Sequence, residues 1–341
     1  MFKFLAILFC FVSLNASHPA IETEEFIFID PPFASCHAST LTQTHSGSLL
    51  CAWFAGTEEG AADVGIWLSQ LQFPQLPSTP SICYTWTAPE QIVTEEGTPC
   101  WNPVLFTLPS HEILLFYKAG GHPVFWSGFL KRSSDEGKHW SQAESLPAGV
   151  IGPVKNKPLL LNGTLLCGSS IESWKRWGCW IDITTDGGRT WSKSSPINVS
   201  TDLFGIIQPT LFFGKNGSIQ LLARSYQIGS ICSSQSHDKG KTWSPAQPTS
   251  LPNPNSAIDA VNLLDGRILL VYNHSKKERY PLNIALSTDG GTTWQQQLTL
   301  EDQPGEYSYP SVIQTTDEKI HITYTWNRTR IKHVVLNPQL F

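Results

Sequence analysis

Short apolar runs of strand length alternate with polar turns along most of the chain, and a fixed marker recurs in the turns. Ser133-Ser-Asp135-Glu-Gly137-Lys-His-Trp140, Thr184-Thr-Asp186-Gly-Gly188-Arg-Thr-Trp191, Ser236-His-Asp238-Lys-Gly240-Lys-Thr-Trp243 and Ser287-Thr-Asp289-Gly-Gly291-Thr-Thr-Trp294 place their aspartates 51, 52 and 51 residues apart. An aspartate able to bond backbone amides and a glycine free to take positive φ describe a hairpin turn, with the tryptophan expected to tuck, largely buried, into the sheet. What is repeated in every copy serves folding, so these aspartates read as structural. A degenerate copy, Ile66-Trp-Leu-Ser69 with Trp86-Thr-Ala-Pro89, precedes them. The next turn would fall beyond the last residue, so the final sheet is expected to take a strand from the opposite terminus, which closes a ring without leaving edges. The pattern predicts an all-β fold, a six-bladed β-propeller formed by residues 18–341 as a single domain.

A second register marks the start of each innermost strand: Cys36-His-Ala-Ser-Thr-Leu41, Trp101-Asn-Pro-Val-Leu105, Asn156-Lys-Pro-Leu-Leu160, Ile207-Gln-Pro-Thr-Leu211, Ile258-Asp-Ala-Val-Asn262 and Ser308-Tyr-Pro-Ser-Val312. In a propeller these strand starts surround the axis, so His37, Asn102, Lys157, Gln208, Asp259 and Tyr309 are expected to converge on one pocket. Unlike the turn residues they differ from repeat to repeat, which a binding site requires and folding does not.

Composition narrows the partners. The formal charge is -5, charged residues make up 15%, and no Lys/Arg-rich run is present, which excludes nucleic acid. Lys3, the apolar run Phe4 to Leu14 and the small residues Ala16 and Ser17 have the layout of a secretory signal peptide over residues 1–17. That run is too short to span a bilayer, so the expected location is secreted or periplasmic without stable membrane insertion. Eight cysteines, one of them Cys10 inside the signal, leave seven. Neighbours such as Cys167 and Cys179 are either paired or small buried residues of a β core. No ligand cluster asks for a metal, and no cofactor is expected.

With its four turn motifs, known as Asp-boxes or BNR repeats, the chain resembles the sialidase (neuraminidase) superfamily from about residue 30 to 338. The resemblance implies an exo-glycosidase that releases a terminal acidic sugar, sialic acid or similar, from a glycan or sialoglycoconjugate. Members hold the substrate carboxylate with three arginines, protonate the leaving group with an aspartate, and attack with a tyrosine activated by a glutamate, an exception to the two-carboxylate scheme. The second arginine matches Arg224 and the third Arg279, whose planar forks suit a carboxylate. The acid matches Asp63, beside Glu58 and Glu59, and its pKa is expected to rise under a bound sugar. The nucleophile matches Tyr309 by spacing, while Tyr307 carries the Tyr-Ser dipeptide.

Two positions depart from the pattern. The first arginine falls on His37 and the activating glutamate on Gln208, whose amide cannot accept the phenol proton. In its protonated form His37 is expected to replace some positive charge; neutral, it can act as a base. Lys155, Lys157 and Asp259 add polarity at the same pocket. These departures keep two further readings open: a non-hydrolytic carbohydrate-binding propeller, and a polysaccharide lyase in which His37 and a tyrosine move protons beside a uronic-acid carboxylate.

Overall fold

The computed structural model describes residues 18–72, 85–199 and 204–341. The segment read as a signal peptide, with Cys10, and residue Cys83 lie outside them. Nearly every regular element is a β-strand, and the strands pair antiparallel into a ring of sheets. The described strands form five sheets. The eight-stranded one divides at a single parallel pair, Trp177 with Gly205, so the described strands fall into six antiparallel units. The innermost strands include Ser35–Gln43, Cys100–Thr107, Gly205–Phe213, Asp259–Asn262 and Tyr307–Gln314; in the third unit the axial segment 153–157 is irregular. The last unit is completed by Ile21–Phe26, which pairs with Arg330–Leu336, so the chain ends close the ring as the repeat count requires. Among the described residues no helix is long and apolar enough to cross a membrane.

Hydroxyl side chains on the inner strands link the units. Thr40 Oγ1 accepts from Leu105 N, Thr210 Oγ1 from Ala260 N, and Ser311 Oγ from Leu41 N, each at 3.1 Å. The last of these joins the final unit to the first. The Asp-boxes link units on the outside. In the second complete box Thr184 Oγ1 donates to Asp186 and accepts from Gly188 N, while Asp186 Oδ1 accepts from Thr190 N at 2.9 Å. Gly188 has φ +91°, and a Cβ there would come within 3.0 Å of Leu130 in the preceding unit; at Gly291, φ +88°, it would meet Phe212 at 2.6 Å. Glycine is thus required twice over, by conformation and by close approach.

The box tryptophans are at equivalent places but only half-buried, not largely buried. Trp191, Trp243 and Trp294 lie against the core with Nε1 donating to the carbonyls of Gly188, Gly240 and Gly291. Each caps its turn at the sheet rim, which leaves one ring face in water. The six described cysteines, Cys167 and Cys179 among them, are free and buried, so the pairing alternative is not realised there and they act as small core residues.

The Asp-box carboxylates make a pH-dependent contribution. His139 N holds Asp135, and the Thr242 hydroxyl holds Asp238, at pKa values near 2. A depressed folded-state pKa stabilises above the unfolded value of about 4 and is lost as pH falls toward 2. Asp238→Ala is expected to cost on the order of 1 kcal/mol at neutral pH. Thermal melts should show the gap to wild type closing as pH drops through that window, with pocket chemistry intact; selective loss of activity at unchanged melting temperature contradicts the structural role.

Candidate active site

The backbone of four inner strands breaks at the same place. Register shifts lie between His37 and Thr40, Trp101 and Val104, Ile207 and Thr210, and Ser308 and Ser311. Inside them Ala38, Asn102, Gln208 and Tyr309 have φ of 58°, 33°, 55° and 54°. Non-glycine residues in this region cost about 1–3 kcal/mol each and gather at functional sites. Here the bulge turns a residue that would continue along the pleat toward the axis. The equivalent of Asn102, Gln208 and Tyr309 is therefore Ala38, and His37 stands one residue ahead of it, alongside Trp101, Ile207 and Ser308.

Tyr309, 7% exposed, lies at the centre of the cluster. Its phenol oxygen accepts from Arg224 Nη1 at 2.7 Å and from Gln208 Nε2 at 3.4 Å. Gln208 Oε1 in turn accepts from Arg224 Nη1 at 3.0 Å, and Asn255 Oδ1 from Arg224 Nε at 2.9 Å. Arg224 is 6% exposed, yet every hydrogen-bond partner it has among the described residues is neutral, and Nη2 has none. A buried guanidinium whose hydrogen bonds go to neutral groups is suited to receive an anion.

Arg279 lies over the Tyr309 ring, its guanidinium carbon 5.7 Å from the centroid, and bonds Glu306 at 2.7 Å. Arg328 shares Glu306 at 3.0 Å and also bonds Glu59. Burial works against the charge of Glu306, but the two guanidiniums outweigh it and hold its carboxyl below the ordinary range. Two arginines thus meet the Tyr309 side chain, and Arg279 is tied through Glu306 to a third, Arg328.

His37 is 1% exposed, its ring 4.1 Å from that of Tyr309, and both ring nitrogens are without partners. Burial first, then the charges of Arg328, Arg279, Arg224 and Lys155, push its pKa well below 6.5. Of the two forms expected for His37 these surroundings favour the neutral one, because the ring is buried and because it sits among four cationic groups. Since the unfolded ring takes a proton first, stability falls as pH drops below about 6.5. Imidazole NMR should show no His37 titration between about pH 5 and 8; a ring titrating near 6.5 contradicts this placement.

Other expected residues occupy different surroundings. Asp259 is saturated, accepting from Thr210 Oγ1, Ala260 N, Val312 N and Lys157 Nζ, and Lys157 also bonds the Ala260 carbonyl, so the pair joins units instead of facing a ligand. Lys155, buried, donates to the Pro310 carbonyl, and burial lowers its pKa to about 7. Asn102 is buried at its bulge, its carbonyl accepting from Lys118. Tyr307 packs into the core with Leu282, Val312 and Tyr324, away from the cluster. Asp63 is exposed on its loop, and the Thr57 hydroxyl and amide hold its pKa below the ordinary value in the sugar-free protein.

Sequence reasoning missed Arg328, Glu306, Asn255 and Glu172. Glu306 alone carried a signal, lying three residues before Tyr309. Among the described residues no group of three or more His, Cys, Asp or Glu is placed to hold a metal ion.

Comparison with known proteins agrees with this architecture. A profile described as BNR repeat-like domain matches residues 47–322. A sialidase of Bacteroides fragilis (strain YCH46) is 25% identical over 233 residues, 60% of this chain and 42% of that protein, so the match spans less than half of the relative. A protein of unknown function from Dyadobacter fermentans DSM 18053 superposes with TM-score 0.77 at 17% identity, covering 94% of this chain and 99% of that one. The NanB sialidase of Streptococcus pneumoniae gives TM-score 0.71 at 14% identity over 93% of this chain and 71% of the other.

Proposed function

This chain belongs to the family of BNR repeat-like domains within the sialidase superfamily, and from that premise we propose that it is an exo-glycosidase releasing a terminal acidic monosaccharide from a glycan. The observation that carries the reading is Arg224, a buried guanidinium whose hydrogen bonds among the described residues all go to neutral groups, with Nη2 making none of them. Arg279 adds positive charge over the ring, and Arg328 is joined to it through Glu306.

Tyr309 Oη attacks the anomeric carbon. A neutral phenol suits this task because a carboxylate nucleophile would be repelled by the sugar's own carboxylate. Arg224 already donates to the phenol oxygen and matches negative charge developing there. Gln208 turns its Nε2 to that oxygen and cannot accept the proton, so the base is neutral His37. A bound carboxylate offsets the cations around His37 and raises its basicity.

The same two groups favour a second reading. The phenol's own hydrogen has no acceptor among the described residues, and His37 has two unpartnered nitrogens. A base and a tyrosine acid beside a carboxylate are also the parts of a uronate lyase. Incubation with sialylated and uronate-terminated oligosaccharides separates the two. A hydrolase releases the intact acidic sugar, and a lyase releases an unsaturated uronide seen by its ultraviolet absorbance. Binding without either product leaves a carbohydrate-binding propeller and refutes both catalytic readings.

A further inference from the structure

Beside the arginine cluster lies a cavity of about 560 Å³, lined by His122, Phe125, Glu172, Trp174, Trp177 and Phe204. Trp174 and Phe125 are 88% and 73% exposed, so folding gains little from them. Trp177 is held rigidly, with Tyr226 at 5.0 Å and Phe204 edge-on at 5.6 Å. The Arg224 guanidinium lies 5.9 Å from the Trp177 ring centre, so that ring connects the cavity to the arginine cluster. A large leaving group departing from a sugar held by Arg224 therefore has this cleft beside it.

Glu172 lines this cavity, close enough to Arg224 for the two charges to interact. It is paired across the hairpin with Trp177, and among the described residues its carboxyl has no hydrogen-bond partner. Of the rival acids, Asp63 is occupied by Thr57 and Glu59 by Arg328, and Glu58 is exposed and outside the cavity lining. Burial raises the Glu172 pKa against the opposing pull of Arg224 and His122, a direction that suits a proton donor.

Building on the exo-glycosidase reading, we propose that this cleft is the leaving-group subsite, its aromatic rings receiving the sugar to which the acidic residue is linked and Glu172 giving its proton to the bridging oxygen. The apolar C–H face of a pyranose stacks on such rings. The bond from the anomeric carbon to the bridging oxygen breaks with its electron pair going to oxygen, which takes the Glu172 proton and leaves as an alcohol. Tyr309 Oη bonds the anomeric carbon as its own proton passes to His37. In the second half the Glu172 carboxylate takes a proton from water, whose oxygen bonds the anomeric carbon as the bond to Tyr309 breaks with its electron pair going to Oη, and Tyr309 takes its proton back from His37.

Two substrates of one acidic sugar test this, an aryl glycoside with an acidic phenol and a disaccharide. The phenol leaves without protonation, so E172Q should cut disaccharide turnover by about 100-fold or more and aryl turnover by only a few-fold. E172D should restore part of the disaccharide activity. W174A should raise KM for the disaccharide about fivefold, leaving affinity for the free monosaccharide as it was. Equal losses on both substrates in E172Q, or a leaving-group dependence found in D63N instead, overturn the assignment. A wild type that cleaves neither substrate refutes the exo-glycosidase reading, and the subsite falls with it.

Discussion

Tyr309→Phe is expected to lose on the order of 10³-fold or more in turnover while keeping its fold and most of its affinity for an acidic sugar. The substitution removes one oxygen. That oxygen accepts from Arg224 at 2.7 Å and from Gln208 at 3.4 Å, so binding suffers only what a lost hydrogen bond costs, about 1 kcal/mol. The ring stays against His37 and under the guanidiniums of Arg224 and Arg279. Steady-state kinetics with a melt and a product titration decide it. Turnover within tenfold of wild type removes Tyr309 from the chemistry under either catalytic reading. Tyr307→Phe, in the core beside Leu282 and Tyr324, should leave kcat unchanged.

Arg224→Ala should weaken binding of an acidic monosaccharide by roughly 2 kcal/mol or more, because a charged, largely desolvated contact is deleted. A neutral analogue should lose little. Arg224→Lys should not restore the affinity, since an ammonium cannot span Asn255, Gln208 and Tyr309 while offering a free edge to the ligand. Arg279 and Arg328 share Glu306, so each alone is expected to matter less than Arg224. If the three substitutions weaken binding equally, the distinction between free and paired guanidiniums fails.

The turns were legible because their bonds are local: Thr184, Asp186, Gly188 and Thr190 satisfy one another within seven residues. Closure by the N-terminal strand followed from counting. The axial register was legible as a set of positions but not as a set of roles. Asp259 and Tyr309 occupy comparable places, yet one is saturated by Thr210, Lys157 and two backbone amides while the other meets Arg224. Only the neighbouring units decide which.

Tyr307 and Tyr309 show the same limit. Two residues apart in a regular strand they would share a face, but positive φ at Tyr309 within the bulge sends it to the axis and leaves Tyr307 in the core. Arg328 was invisible because it stands outside both registers and bonds Glu59, 269 residues away in the chain. Neutral His37 was likewise hidden, since its state depends on cations brought together from four separate segments.

The central claim is that the pocket recognises a carboxylate through Arg224. Calorimetric titration of the wild-type protein with an acidic monosaccharide and with its methyl ester tests it most directly. The ester keeps the ring and hydroxyls and removes the charge, so the acid should bind more tightly by roughly 2 kcal/mol, a difference that disappears in Arg224→Ala. Equal wild-type affinity for acid and ester contradicts the account.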